Sequence, residues 1–213
     1  MTLAIRNATT EDAPFLAWVV LAATRSHRSR GWFDISFELP EAELLALIER
    51  LIRAQARSLW HFSYFFVATI DGTPAAALAA FRGEDAFPLA DAAIGEAVQS
   101  LGWGRAEIAE IDARGAYLMT CLSDNAPDAW IIENVATRPE FRGRGAAGAL
   151  IKHALGVGRD RGHKIAQLME LIGNTKAQRV YEREGFAVAA EKRTPEFEAL
   201  TGAPGLAQLR CLL

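Results

Sequence analysis

TRPEFRGRGAAGALI, residues 137–151, carries two overlapping phosphate-binding spellings. Gly143, Gly145 and Gly148 form G-x-G-x-x-G, the dinucleotide fingerprint, whose first glycine belongs in a tight turn directly after a strand. Arg142, Gly145 and Ala147 form R-x-x-G-x-A, a turn running into a helix N-terminus, where unpaired N–H groups face an anion. The preceding stretch 130–136 (WIIENVA) reads as a strand, and Pro139 lies among the residues that separate it from Arg142. Ala147, Leu150, Ile151, Ala154 and Leu155 then recur on one helical stripe. Glu170 suits the acidic partner of a dinucleotide site, but too few elements follow for a long parallel series. Taken alone, the loop is explained equally well as a glycine-rich helix cap with solvated arginines.

Further outward, residues 164–172 (KIAQLMELI) predict a second strand, and Asn174 to Glu184 a short helix closed by Gly185. Residues 186–190 and 206–212 close the chain as strands, so the second half is a βαβαβ run in an α/β protein. In the first half, residues 3–6 predict a strand, and Thr9 with Asp12 a capping box before the stripe Phe15, Leu16, Val19, Val20, Ala23. A second helix starts near Pro40 and carries Leu44, Leu45, Ile48, Leu51 and Ile52 on one face. Residues 64–70 (YFFVATI) and 73–81 read as strands joined by Asp71-Gly72, a two-residue hairpin turn. Helices are expected over 86–101 and 105–117, and 124–128 (DNAPD) is a loop. Gly156 and Gly158 mark either the fraying end of their helix or close packing on the sheet.

Composition narrows the function classes. The 213 residues are 51% hydrophobic and 23% charged, with a net charge of −3, which supplies no electrostatic reason for a nucleic-acid partner. Residues 1–12 lack the apolar core of a secretory leader, and the apolar stretch 13–23 is shorter than the roughly 20 residues a bilayer requires. Cys121 and Cys211 stand far apart, and His27, His61, His153 and His163 show no metal spacing. The expectation is a cytoplasmic protein without a metal, a membrane or nucleic acid, with a homodimer left open.

Two motifs in order carry a family resemblance. Asn134-Val135-Ala136-Thr137, followed by Pro139, Arg142, Gly145 and Ala147, is similar to the strand-loop-helix pyrophosphate motif of the GNAT superfamily, the acetyl-CoA-dependent N-acetyltransferases. Gly173-Asn174-x-x-Ala177-x-x-x-Tyr181-x-x-x-Gly185-Phe186 resembles the second motif of that family. The resemblance spans residues 130–186, fits 3–81 more loosely, and leaves 82–129 as a helical insertion in a single domain of 1–213.

It implies a mixed, mostly antiparallel sheet of about seven strands with flanking helices, splayed between its two central parallel strands. Acetyl-CoA is then the acyl donor and a primary amine of a small molecule or peptide the acceptor. A non-catalytic acyl-CoA sensor of the same fold is the alternative. Val135, Ala136 and Thr137 take the positions that pair with pantetheine, and Arg142, Gly143, Arg144, Gly145, Ala146 and Ala147 those that hold the pyrophosphate. Asn174 takes the position that bonds the pantetheine arm, while also making an ordinary helix N-cap.

Amide formation needs a neutral amine, a stabilised oxyanion and a proton for the departing thiolate. Tyr181 matches the family's proton-donating tyrosine, against a bland reading as a core aromatic on the stripe Ala177, Val180, Tyr181, Glu184. Strand alternation puts Glu133 on the same face as Val135, where a half-buried carboxylate with a raised pKa serves as base; Asp128 and Glu170 are its substitutes. Cys121 has no identifiable histidine partner for an acyl-enzyme. Arg25 to Trp32 (RSHRSRGW) is either an anion-reading loop on the acceptor side or a solvated one.

Overall fold

A computed structural model describes residues 1–99 and 101–213. Strand β1 (Leu3–Asn7) leads into the capping box, in which the Asp12 carboxylate accepts from the Thr9 N–H at 2.8 Å. Arg6 grips the same carboxylate at 2.6 and 2.8 Å, tying β1 to the start of α1 (Ala13–Arg25). Next come α2 (Trp32–Phe37) and α3 (Glu41–Arg53), the latter burying Leu44, Leu47, Ile48, Leu51 and Ile52. β2 (Phe65–Ile70) and β3 (Thr73–Arg82) form the expected hairpin, with Asp71 and Gly72 both left-handed at φ 49° and 83°.

Helices α4 (Gly83–Ala86), α5 (Ala90–Gln99), α6 (Arg105–Gly115) and α7 (Tyr117–Cys121) fill the stretch before β4 (Trp130–Thr137). The helix expected over 86–101 is thus a short turn and a later start, because Pro88 interrupts it; its residue 100 lies outside the described residues. The chain closes with α8 (Ala146–Asp160), β5 (Ile165–Leu171), α9 (Thr175–Arg183), β6 (Ala187–Arg193), α10 (Pro195–Thr201) and β7 (Gly205–Leu212).

Among the described residues the sheet has seven strands in the order β1-β2-β3-β4-β5-β7-β6. β4 and β5 run parallel and every other described neighbour pair is antiparallel. Fold and strand positions agree with the sequence reading, whereas α4 and α7 extend beyond the ends of the expected helices, and α2 and α10 were missed. Both carry cap signals: the Asp34 carboxylate accepts from the Gly31 N–H at 2.8 Å, and Thr194 Oγ accepts from the Phe197 N–H at 3.2 Å.

Each face of the sheet builds its own core. On one, Phe65, Val67, Ala77, Ala79, Phe81 and Ile131 meet α1 and α3. On the other, Phe66, Ala68, Leu78, Trp130 and Ile132 meet Leu150, Ile151, Ala154 and Leu155 of α8. Gly158 is a packing glycine: a Cβ there would stand 2.7 Å from Trp130, whose indole N–H donates to the Ala154 carbonyl at 2.9 Å. Gly156 meets nothing within 4 Å, so the packing explanation applies to its neighbour alone.

Candidate active site

β4 and β5 pair only at their first residues, Trp130 with Ala166 and Ile131 with Gln167. Beyond that point the strands separate, and a cleft of about 1030 Å³ opens through the sheet. The backbone edge of β4 past Ile131 therefore has no β5 partner and faces the cleft.

A β-bulge reshapes that edge. Ala79 pairs with Glu133 and Ala77 with Ala136, so Leu78 alone opposes Asn134 and Val135. Asn134 takes the left-handed conformation at φ 54°, and its side-chain Nδ2 is buried without a hydrogen bond. The bulge corrects the expected alternation. Val135 packs on the α8 face, Ala136 on the α1 face, and Glu133 shares the α1 face with its cross-strand partner Ala79. Glu133 and Val135 thus lie on opposite faces.

After β4, a tight turn at Pro139–Phe141 leads to the glycine loop, and α8 begins only after Gly145. Gly143 and Gly145 have φ 75° and 79°, a conformation strained for other residues, and space beyond their missing Cβ atoms is open for at least 4 Å. The first backbone bond into the helix is from the Ala149 N–H to the Gly145 carbonyl at 3.0 Å, which leaves the N–H groups of 143–148 without a backbone acceptor among the described residues. This is a cradle with a helix N-terminus at its base, and it suits a diphosphate. The dinucleotide reading loses its requirement, since the first glycine does not directly follow the strand and the sheet is mostly antiparallel. Arg142 and Arg144 are exposed here; Arg142 lines the cleft with Lys152, Lys176 and Arg183, whereas Arg144 lies over the Phe141 ring at 5.5 Å and does not border it.

Of the expected site residues, Glu133, Val135, Ala136, Thr137, Arg142, Gly143, Gly145, Ala146, Ala147, Asn174 and Tyr181 all border this cleft. Asn174 caps α9 by accepting from the Ala177 N–H at 3.3 Å, and its Nδ2 donates to Ser26 Oγ at 2.9 Å. Its amide therefore already ties α9 to the loop after α1. Tyr181 is buried against Phe186, with ring centroids 6.2 Å apart. Burial, reinforced by the Glu170 carboxylate, pushes its pKa well above the usual phenol value, so the hydroxyl keeps its proton.

The Glu133 side chain forms no hydrogen bond or ion pair among the described residues, and burial raises its pKa to about 7. Of the substitute bases, Glu170 lines the same cleft on the α9 side. Asp128 does not: it sits at the mouth of a separate cleft of about 350 Å³, 3.6 Å from Arg82 and 3.5 Å from His163. Cys121 is buried with its sulfur 3.6 Å from Thr194 Oγ, which suits an inert thiol. Arg25 is committed to structure, paired with Asp34 at 2.7 Å and Glu41 at 2.6 Å. Arg30 and His27 remain on the cleft, and Arg28 Nε is buried without a partner.

Glu170 is 8% exposed, with Oε2 buried and unpaired. Burial, and then the charge of Glu182, raises its pKa from 4.5 to about 7. A raised acid pKa means native stability is undiminished below the unfolded value and is lost as pH rises from there through the folded one, the loss reaching roughly 3 kcal/mol when the group is fully ionised. Glu170→Gln is therefore expected to melt several degrees above wild type at pH 8.5 and level with it at pH 4. Melting curves at both pH values check this; equal Tm at pH 8.5 refutes the buried-charge assignment.

The sequence profile described as the acetyltransferase (GNAT) family matches residues 21–186, and the chain belongs to that family. No curated protein sequence matches it. Among solved structures, one described as an acetyltransferase superposes with a TM-score of 0.71 at 20% identity over 98% of both chains. An N-acetyltransferase from Staphylococcus aureus Mu50 gives 0.67 at 20% identity over 99% of this chain and 100% of its own. The ribosomal-protein-S18-alanine N-acetyltransferase from Escherichia coli gives 0.53 at 17% identity, over 99% and 94%. At these identities the likeness is one of fold. No helix among the described residues is long and apolar enough to cross a membrane, and none of their His, Cys, Asp and Glu side chains cluster as a metal site.

Proposed function

We propose that this protein transfers an acetyl group from acetyl-CoA directly to a primary amine of a small molecule or peptide, acting in the cytoplasm as a single domain with 82–129 as its insertion. The observation that carries the reading is the splayed cleft, with an N–H-lined cradle at one end and an unpartnered carboxylate and a protonated phenol along its walls. Acetyl-CoA, when bound, supplies the activated thioester. The cradle of Arg142, Gly143, Arg144, Gly145, Ala146 and Ala147 would hold its diphosphate, and the open edge at Val135, Ala136 and Thr137 would pair with its amide-bearing arm, beside Asn174. Glu133 would take a proton from the incoming ammonium, and Tyr181 would deliver one to the leaving sulfur.

The sensor alternative requires neither residue to be free to react, whereas both Glu133 and the Tyr181 hydroxyl lack partners among the described residues. Release of free thiol from acetyl-CoA across an amine panel tests the proposal; binding without release with any amine would favour the sensor.

Gly145→Val tests the cradle. Its side chain would project into the open space where a diphosphate approaches, and the positive φ adds local strain. Calorimetry should show coenzyme A affinity falling by about ten- to a hundredfold, the worth of one or two charge-assisted hydrogen bonds, with the far-ultraviolet spectrum retained. NAD should not bind wild type. Tight NAD binding would overturn the assignment.

A further inference from the structure

Resting on the acyltransfer reading, we infer that the acceptor is a primary amine carried on an aromatic or bulky aliphatic body. The cleft is chemically divided. Toward α8 and α9 it is lined by the cradle, Lys152, Lys176 and Arg183. At the other end, Trp32 of α2, Tyr117 and Leu118 of α7, Leu122 just after it, Met169 of β5 and Phe197 of α10 form an apolar wall.

These residues come from four elements distant in sequence and join a third apolar cluster, with Trp32 also packing against the α1-side core. Trp32, Leu118 and Leu122 are only partly buried there, facing the cleft. Exposed apolar surface in a concavity is unfavourable until something apolar covers it, and large patches of this kind mark binding sites.

The polar groups determine what the covering molecule carries. Three carboxylates border the cleft among the described residues, and Glu170 and Glu184 are set beside α9. That leaves Glu133 on the α1 face as the carboxylate an acceptor ammonium meets, with no competing ion pair. The Thr201 hydroxyl is committed to the Phe197 carbonyl at 2.8 Å and to the Ala203 N–H at 3.0 Å. An acceptor with one ammonium and an apolar body pairs with Glu133 and covers the wall, while Arg30, close to Tyr117, donates to the Asp34 carbonyl at 3.4 Å. A polyamine would bury a second ammonium against side chains that offer it no carboxylate, and a buried unpaired charge is costly.

The test measures kcat/KM by thiol release for phenethylamine, isoamylamine, agmatine, spermidine and glutamate, using the full chain. The first two should exceed the others by about ten- to a hundredfold, the usual range for apolar-pocket discrimination. Leu118→Glu, which adds a carboxylate to the wall, should keep coenzyme A affinity and shift the ratio toward agmatine; Leu122→Glu serves if the first variant melts early. Wild-type preference for agmatine, spermidine or glutamate overturns the inference while leaving acyltransfer standing, as does an unchanged ratio in a folded variant. Turnover of none of the amines overturns the inference as well, and thiol release with a peptide amine in the same assay then decides whether acyltransfer stands.

Discussion

Tyr181→Phe is expected to lower kcat by about 10²–10⁴-fold, the worth of a well-placed general acid, while leaving coenzyme A affinity within a few fold of wild type. The ring, its packing on Phe186 and its place in the α8-side core all survive the substitution. Only the hydroxyl is lost, and that group makes no hydrogen bond within the described residues, so the fold has little stake in it. Its raised pKa means that the phenol remains a donor throughout the neutral and mildly alkaline range. Initial rates and coenzyme titration calorimetry on the same preparation separate the two effects. A kcat within threefold of wild type would make Tyr181 a core aromatic and nothing more.

Glu133→Gln should cost a comparable factor near neutral pH and act differently across the pH range. Wild-type kcat/KM should rise with pH through about 7, where the half-buried carboxylate loses its proton and becomes able to accept one. The glutamine variant keeps the shape but has no such ionisation, so that limb should vanish. Its rate should instead recover partly at high pH, as free amine accumulates without help. Glu170 has a similarly raised pKa, so the identity of the limb needs a control. Glu170→Gln should retain the ionisation near 7 if Glu133 is its source. A Glu133→Gln profile parallel to wild type would assign Glu133 a structural role and pass the base to Glu170.

The two faces of the sheet show where sequence reasoning reaches and where it stops. The strand at 130–136 was legible because Trp130, Ile131 and Ile132 are apolar and β-branched or aromatic in a run bounded by a loop. The side to which Glu133 points relative to Val135 was not, because one extra residue in a bulge inverts the alternation and no residue type announces it. Asn134, one of the non-glycine residues that best tolerate a positive φ, was the available hint. Likewise, Arg25 looked like part of a ligand-reading loop, and Asp34 and Glu41 claim it only because α2 and α3 fold back beside it.

By itself the sequence determined the seven strands, the helix after the glycine loop, and the two motifs that lie along the cleft. Those features are local: period, capping and turn chemistry act over a few neighbouring residues. Tertiary structure alone decided the bulge, the choice of Glu170 over Asp128 as a cleft carboxylate, and the apolar wall built from α2, α7, β5 and α10. Trp32, Leu118 and Phe197 are far apart in the chain and each reads as an ordinary apolar residue. They become one surface only because the sheet opens between β4 and β5 and the helices around that opening are packed by burial, which depends on area removed from water and not on order along the chain.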